Sequence, residues 1–442
     1  MSAISAYRQA LAEAELAPRI GWVRRVQGLA LEAEGPRVHI GEMCHVMPLR
    51  GQGGGPVLAE VVGLEPGHVV LLPFGTLQGI GTGSEVVALG SDAGIGVGRE
   101  LLGRVIDGFG MPLDGREVPG GLRSWPLLAA APNPLACPRV RSVLETGVRA
   151  IDALLTLGHG QRVGIFAGSG VGKSSLLGMI TRHARADVNV IALIGERGRE
   201  VREFIEEQLG AQGLRRSVVV AATADQPALA RIRAAHAAVA IAESFRDDGR
   251  SVLLTMDSVT RLAMARREVG LAAGEPATAR GYTPSVFAEL PRLCERCGTA
   301  PGGGSITALL TVLVEGDDFN EPIADAMRSI LDGHVVLSRE LAQQGHHPAI
   351  DALRSISRLL GDLASGDERE LAAEAVRHLA ALDKGRPLVE VGAYAKGSNA
   401  ALDAALAVEP ALFAWLRQDG GGCARSEALR QLRDALRSGR PA

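Results

Sequence analysis

The stretch Ala167-Gly-Ser-Gly-Val-Gly-Lys-Ser174 restricts what this chain can become more than any other segment. The apolar run Arg162-Val-Gly-Ile-Phe166 precedes it, and a helical pattern from Ser175 to Arg185 follows. Glycine at 168, 170 and 172 leaves the backbone free to wrap a polyphosphate, whose charge is met by N–H groups and the helix N-terminus. Lys173 is placed to reach the β- and γ-phosphates, and the Ser174 hydroxyl to ligate Mg²⁺. The strict form of the motif has glycine where Ala167 stands. Gly168, Ser169, Gly170, Val171, Gly172, Lys173, Ser174 and Ser175 are therefore the candidate nucleotide contacts, and the expected ligand is ATP with Mg²⁺.

A strand–loop–helix of this kind belongs in a parallel sheet, and the chain around it has the matching rhythm. From about Gly160, the apolar runs 162–166, 188–194, 217–220 and 251–256 alternate with helical stretches. Val201, Phe204, Ile205 and Leu209 mark one face of a helix, and Gln226 to Phe245 is alanine-rich and helical. Upstream, between about Ile20 and Leu89, short apolar runs are separated by glycine and proline. Arg37-Val-His-Ile40, Val57-Leu-Ala-Glu-Val-Val62 and His68-Val-Val-Leu-Leu72 are examples, and they predict a small β-barrel or sandwich. After about Leu360 only helical patterns remain, while Pro301–Gly304 and Gly420–Gly422 read as loops. At 442 residues, two or three domains are expected. The divisions are 1–18 for an N-terminal amphipathic helix (Ile4, Tyr7, Leu11 and Ala14 at helical spacing), 19–95 for the barrel, 96–365 for the α/β domain and 366–442 for a helical domain. The first helix either packs on its own domain or docks a partner or a membrane surface.

Phosphoryl transfer to water needs a second carboxylate on the metal side, a group to orient the water, and positive charge on the γ-phosphate. Open α/β sheets place such groups at the carboxyl ends of strands. Asp257 closes the run 252–256 as a Walker B aspartate should. Glu196 follows 191–194 and Gly195, where a carboxylate can polarise water, with Arg197 beside it. By itself that glutamate is equally readable as a helix cap.

The residues around these groups resemble a known family. Gly195-Glu-Arg-Gly-Arg-Glu-Val-Arg-Glu-Phe204 is similar to the signature of type III export ATPases, relatives of the catalytic β subunit of F-type ATP synthase. Asp257-Ser-Val-Thr-Arg-Leu-Ala-Met-Ala265, Gly281-Tyr-Thr-Pro-Ser-Val-Phe287, Leu313-Val-Glu-Gly-Asp-Asp318, Leu331-Asp-Gly-His-Val-Val-Leu-Ser-Arg339 and Arg354-Ser-Ile-Ser-Arg358 continue the likeness in order. It runs from about residue 20 to 420 and is strongest between 140 and 360. The resemblance implies a small N-terminal β-barrel, a central RecA-like α/β P-loop NTPase domain and a C-terminal helical domain. It implies an ATPase working as a homohexameric ring in the cytoplasm, against the inner membrane at an export apparatus. By the same resemblance Lys173 and Ser174 hold phosphate and Mg²⁺, Asp257 supports the metal, and Glu196 activates water with Arg197 and Glu200 in its shell. Glu200 reaches the metal partly through water, and Arg358 matches an arginine finger inserted into the neighbouring subunit's site. The implied partners are a stator-like regulatory subunit, a central coiled-coil stalk, the membrane export gate and chaperone–cargo complexes.

Met256-Asp257-Ser258, Ala263-Met264-Ala265 and the form of the phosphate loop favour the flagellar branch over injectisome ATPases. Two departures stand out. His347, in Gly345-His-His-Pro348, occupies a position where the family usually has a tyrosine against the base, and Glu275-Pro-Ala-Thr-Ala-Arg-Gly281 alters an interfacial loop.

Other classes fit less well. A ring-shaped RNA translocase needs stacked aromatics in its N-terminal fold, and residues 20–90 hold only Trp22 and Phe74. The formal charge of -3 gives no support for nucleic acid as a partner. Paired ATP synthase subunits divide their catalytic groups, whereas Glu196 and Arg358 share this chain. A nucleotide-binding scaffold would bind without turnover. Cys294 and Cys297 form a lone pair without the second pair a tetrahedral zinc site needs, so they are expected to pack as thiols. No apolar run reaches the ~18–20 residues of a membrane span.

Overall fold

A computed structural model describes residues 17–50, 54–90, 94–314, 316 and 318–438. The predicted N-terminal helix lies outside these residues but for Ala17 and Pro18. Six strands close the N-terminal barrel: β1 (Ile20–Gln27), β2 (Ala30–Glu34), β3 (Met43–Val46), β4 (Val57–Glu65), β5 (His68–Pro73) and β6 (Glu85–Ala88), in the order β1-β2-β5-β4-β3-β6. Alternation seals it, since Val23, Leu31, Ala33, Val61 and Leu71 point inward and are buried. One expected strand is absent. Arg37–Ile40 is a loop because the buried Glu42 carboxylate accepts the His39 N–H at 3.1 Å, so the segment turns instead of pairing. Arg19 holds Glu42 from the other side at 2.6 Å.

A short hairpin-like pair, β7 (Gly94–Val97) and β9 (Arg123–Pro126), leads out of the barrel, and between them β8 (Arg104–Ile106) joins the main sheet. A second small pair, β10 (Val143–Leu144) and β11 (Leu157–Gly158), precedes the nucleotide-binding core. That core contains β12 (Arg162–Ala167), β13 (Val188–Glu196), β14 (Ser217–Thr223), β15 (Ser251–Asp257), β16 (Gly298–Thr299), β17 (Ser305–Leu313), β18 (Gly333–Leu337) and β19 (Ile350–Ser357). The sheet order is β19-β18-β12-β17-β15-β13-β14-β8, with β16 pairing β17 off this path. All neighbours along it are parallel except β18 and β19. The central strands are buried from end to end, as a sheet covered by helices on both faces requires.

The alanine-rich helix runs Ala228–Asp247, starting after Pro227, two residues later than its composition suggests. Its small side chains let it lie close on the sheet, and Ala234, Ala235, Ala237 and Ala238 are fully buried. The expected face of Val201, Phe204, Ile205 and Leu209 is present on an α-helix, Gly198–Glu203, that widens into a π-helical stretch, Phe204–Leu209. Phe204 and Leu209 are buried there, with Val201 and Ile205 packed beside them. Beyond β19 the chain is helical, with long helices Gly366–Glu390, Ala400–Leu416 and Arg425–Arg437. Their apolar faces (Leu371, Leu379, Leu412, Trp415, Leu432) share a core with β12 and the phosphate-loop helix.

Candidate active site

β12 ends at Ala167, and the helix after it begins at Lys173, two residues before the sequence-based expectation. Gly172 caps that helix with φ 89°, a left-handed conformation in which a side chain is strained, and Gly170 takes φ 77°. Ala167 needs no such freedom. It is a ladder residue between Leu313 and Leu337, so its methyl group is simply buried in the sheet. Val171 is buried and anchors the loop from below, while Ser169, Gly170, Ser174 and Ser175 face outward around the open helix N-terminus. That arrangement of free N–H groups and hydroxyls is an anion cradle.

The other groups meet at Lys173. Its Nζ lies 2.5 Å from Asp257 Oδ1 and 3.5 Å from Glu196 Oε1. The strand order explains the meeting, because β17 alone separates β12 from β15, and β13 flanks β15 on the far side. Asp257 ends β15 and is 3% exposed. Glu196 ends β13 after Gly195, whose φ of 72° accompanies a register shift between Ile194 and Glu196. A Cβ on Gly195 would come within 2.9 Å of Arg261 Cβ, so glycine also lets the next helix approach.

Burial lifts the Glu196 carboxyl to about 7, against the pull of Lys173 and helped by Glu200 and Asp257. Its hydrogen bond with Glu200 holds Glu200 below the ordinary carboxylate value. Burial and this hydrogen bond thus favour the proton on Glu196 over Glu200. Arg197 Nη1 sits 3.3 Å from Glu200 Oε1 with its side chain largely exposed. Lys173, Glu196, Asp257 and Glu200 are therefore one cluster, with Arg197 at its rim.

His347 also reaches the loop: a methyl group placed on Gly172 would lie 3.6 Å from His347 Nδ1. The imidazole is exposed at the edge of the cradle. Sequence reasoning missed the residue that holds it. The buried Gln418 donates its backbone N–H to the His347 carbonyl at 2.8 Å. Its side chain donates to the Gly147 carbonyl at 2.7 Å and accepts from the Arg149 N–H at 2.8 Å. The C-terminal domain thereby fixes the His347 loop beside the cradle. A lone polar residue after a helix carries no sequence signal of that role. Thr311, buried beside Asp257, was missed in the same way.

Arg358 is not in this cluster. It follows β19, whose last residue, Ser357, pairs with Gly333 at the start of β18. Ala167 pairs with Leu337 at the opposite end of β18. The two sites are thus at least about 13 Å apart along the strands. Arg358 is exposed there, and its Nη2 donates to the Arg328 carbonyl at 3.3 Å.

The donors fit magnesium. A serine hydroxyl at the mouth of the loop and a buried carboxylate across from it are hard oxygen ligands. Among the described residues no group of three or more His, Cys, Asp or Glu side chains converges as a metal cage. Cys294 and Cys297 are buried in the core near the end of the helix Pro284–Glu295, and burial pushes the Cys297 thiol up to about 12. They pack as thiols.

The fold and site have known counterparts. Residues 147–357 match the nucleotide-binding domain of the ATP synthase alpha/beta family, residues 23–90 its beta-barrel domain, and residues 364–434 the T3SS EscN ATPase C-terminal domain. The chain is 52% identical to the flagellum-specific ATP synthase of Bacillus subtilis, over 90% of its own length and 91% of that protein's. It is 50% identical to the type 3 secretion system ATPase of Xanthomonas euvesicatoria, over 90% and 89% of the two chains. The assembled ATPase EscN of the enteropathogenic E. coli type III secretion system superposes with a TM-score of 0.89 at 43% identity, covering 94% of this chain and 100% of that one. The same ATPase in complex with its central stalk EscO gives 0.86 at 42% identity with the same coverage. Identity near one half, sustained over nine tenths of both chains, shows that this protein belongs to the ATP synthase alpha/beta family, among the flagellum-specific and type III secretion ATPases.

Proposed function

We propose that this ATPase hydrolyses Mg²⁺–ATP to energise export of flagellar proteins, as a homohexameric ring with its active sites between subunits. One observation carries the reading. Lys173, Glu196 and Asp257 converge beyond the carboxyl ends of β12, β13 and β15, while Arg358 stands exposed at the opposite end of the sheet. An arginine so placed serves a site only if that site belongs to a neighbouring copy. Head-to-tail contacts of this kind close into rings when the rotation between copies closes.

Within one site, the glycine loop and the helix N-terminus bind the phosphates. Lys173 leaves its two carboxylates for the β- and γ-phosphate oxygens. Ser174 and Asp257 would hold Mg²⁺, with Glu200 reaching it through water, and the bound ion would supply Lewis-acid charge to the phosphates. Released from Lys173, Glu196 as its carboxylate orients the attacking water and takes the proton that the water loses, with Glu200 accepting a hydrogen bond from it. Arg197 balances that pair, and His347 lies against the base.

Steady phosphate release is the test. Lys173→Ala should abolish turnover and weaken ATP binding, whereas Glu196→Gln should bind ATP nearly normally and lose ~10²-fold or more in rate. Turnover above about a tenth of wild type in Glu196→Gln would remove Glu196 from the water-orienting role.

A central coiled-coil stalk is the expected partner inside the ring, by analogy with EscN and its stalk EscO. A stator-like subunit, the membrane export gate and chaperone–cargo complexes are expected around it, at the cytoplasmic face of the inner membrane. No helix among the described residues is long and apolar enough to cross a membrane. The likeness to EscN and to the Xanthomonas ATPase keeps injectisome export as a second reading. Pull-down from cells separates the two, because flagellar and injectisome components differ.

A further inference from the structure

β17 lies between the strand that carries the phosphate loop and the strand that carries Asp257, so its carboxyl end borders both. Two threonine hydroxyls fasten it there. Thr311 Oγ1 lies 2.7 Å from Asp257 Oδ1 and 3.2 Å from the Met256 carbonyl. Its single proton goes to the carboxylate, the nearer and charged acceptor. Two residues on, the Leu313 N–H donates to Thr260 Oγ1 at 2.9 Å, pinning the first turn of the helix that follows Asp257. Thr311 has no exposed surface and Asp257 has 3%, so no water substitutes for this hydroxyl.

Among the described residues, Asp257 Oδ1 has one other close donor, Lys173 Nζ at 2.5 Å. A lysine needed by the phosphates cannot stay on that oxygen once a nucleotide is bound. The threonine can, because it is part of the rigid sheet. We propose that Thr311 is a positioning residue for ATP hydrolysis: its hydroxyl holds Asp257 Oδ1 in place when Lys173 departs, so that the other oxygen faces the metal's water shell. The inference rests on the metal-side role of Asp257 proposed above. A carboxylate without the hydroxyl would be free to rotate, and a charge-assisted hydrogen bond in a dry site is strong enough for that rotation to matter.

Thr311→Val keeps the shape and removes the hydroxyl, Thr311→Ser keeps the hydroxyl, and Asp257→Asn tests the underlying reading. Each full-length variant is measured for kcat and KM for ATP, for the Mg²⁺ concentration giving half-maximal turnover, and for affinity for a fluorescent ADP analogue with and without Mg²⁺. Thr311→Val should lose about tenfold in kcat, with a higher Mg²⁺ requirement, little change in KM and unchanged ADP affinity without Mg²⁺. The factor by which Mg²⁺ tightens ADP should fall, and Thr311→Ser should restore both properties. Wild-type kcat and Mg²⁺ response in Thr311→Val overturn the proposal, as does a Thr311→Ser variant no better than Thr311→Val, since packing would then be the cause. Full turnover in Asp257→Asn instead removes Asp257 from the metal side. A dead Asp257→Asn beside a wild-type Thr311→Val leaves that reading standing and removes only Thr311.

Discussion

Lys173 is held by two carboxylates, Asp257 and Glu196, and burial lifts Glu196 to about 7. An unfolded glutamate titrates at its ordinary value of 4.5, so the folded protein binds the proton more tightly. This group's contribution to stability is full below 4.5, falls as pH rises towards 7, and is constant above that. Glu196→Gln cannot ionise, so its stability relative to wild type should rise across that window. Denaturant melts of the two proteins at several pH values measure the difference, and a flat difference would mean that Glu196 titrates normally. At the rim of the cradle, His347→Tyr supplies a larger ring against the base. It should leave turnover intact and tighten nucleotide by about 0.5–1.5 kcal/mol in calorimetry. Unchanged or weaker binding would show that residue 347 does not touch the base.

At the scale of elements, the long helix Gly366–Glu390 begins with a capping box. Ser365 accepts the Glu368 N–H, and the Glu368 side chain accepts the Ser365 N–H. Glu368 also pairs with Arg425 at 2.7 Å, and Arg425 Nε donates to the Asp152 carbonyl at 3.2 Å. One cap therefore begins a helix and docks the C-terminal domain. Ser365→Ala should lower stability by about 1 kcal/mol in urea unfolding while leaving nucleotide affinity unchanged. A coupled loss of affinity would mean that the docking reaches the His347 loop through Gln418. β19 is the other telling element. It is the one antiparallel member of the main path and lies at the edge, so its far end can present Arg358 outward.

For the whole molecule, the proposed ring places Lys173 and Glu196 of one copy against Arg358 of the next. Glu196→Gln and Arg358→Ala should each be nearly inactive alone, since an arginine finger contributes ~10³–10⁵ in rate. Mixing the two variants restores complete sites wherever an intact Glu196 meets an intact Arg358, about a quarter of interfaces in a randomly mixed closed ring. Activity should rise well above the sum of the separate variants once mixed rings are confirmed by native mass spectrometry. Mixed rings with no gain in activity would count strongly against Arg358 acting in trans.

Local chemistry made much of this protein legible in its sequence. Loop glycines, strand-length apolar runs and the polar residues that end them report backbone freedom and burial, which are properties of neighbours in the chain. They marked the phosphate loop, Asp257, the barrel and the helical end of the chain, but left Glu196 equally readable as a helix cap without the family resemblance. Where a side chain competed for the backbone, as Glu42 does for the His39 N–H, the same signals misread Arg37–Ile40 as a strand. The tertiary structure decided what depends on non-sequential strand order. It placed β17 between β12 and β15, so that Thr311 touches Asp257, and brought Gln418 onto the His347 loop. It set Arg358 at the far end of the sheet from Lys173. Such contacts join residues far apart in the chain through register and packing, and no local pattern encodes which strand will lie beside which.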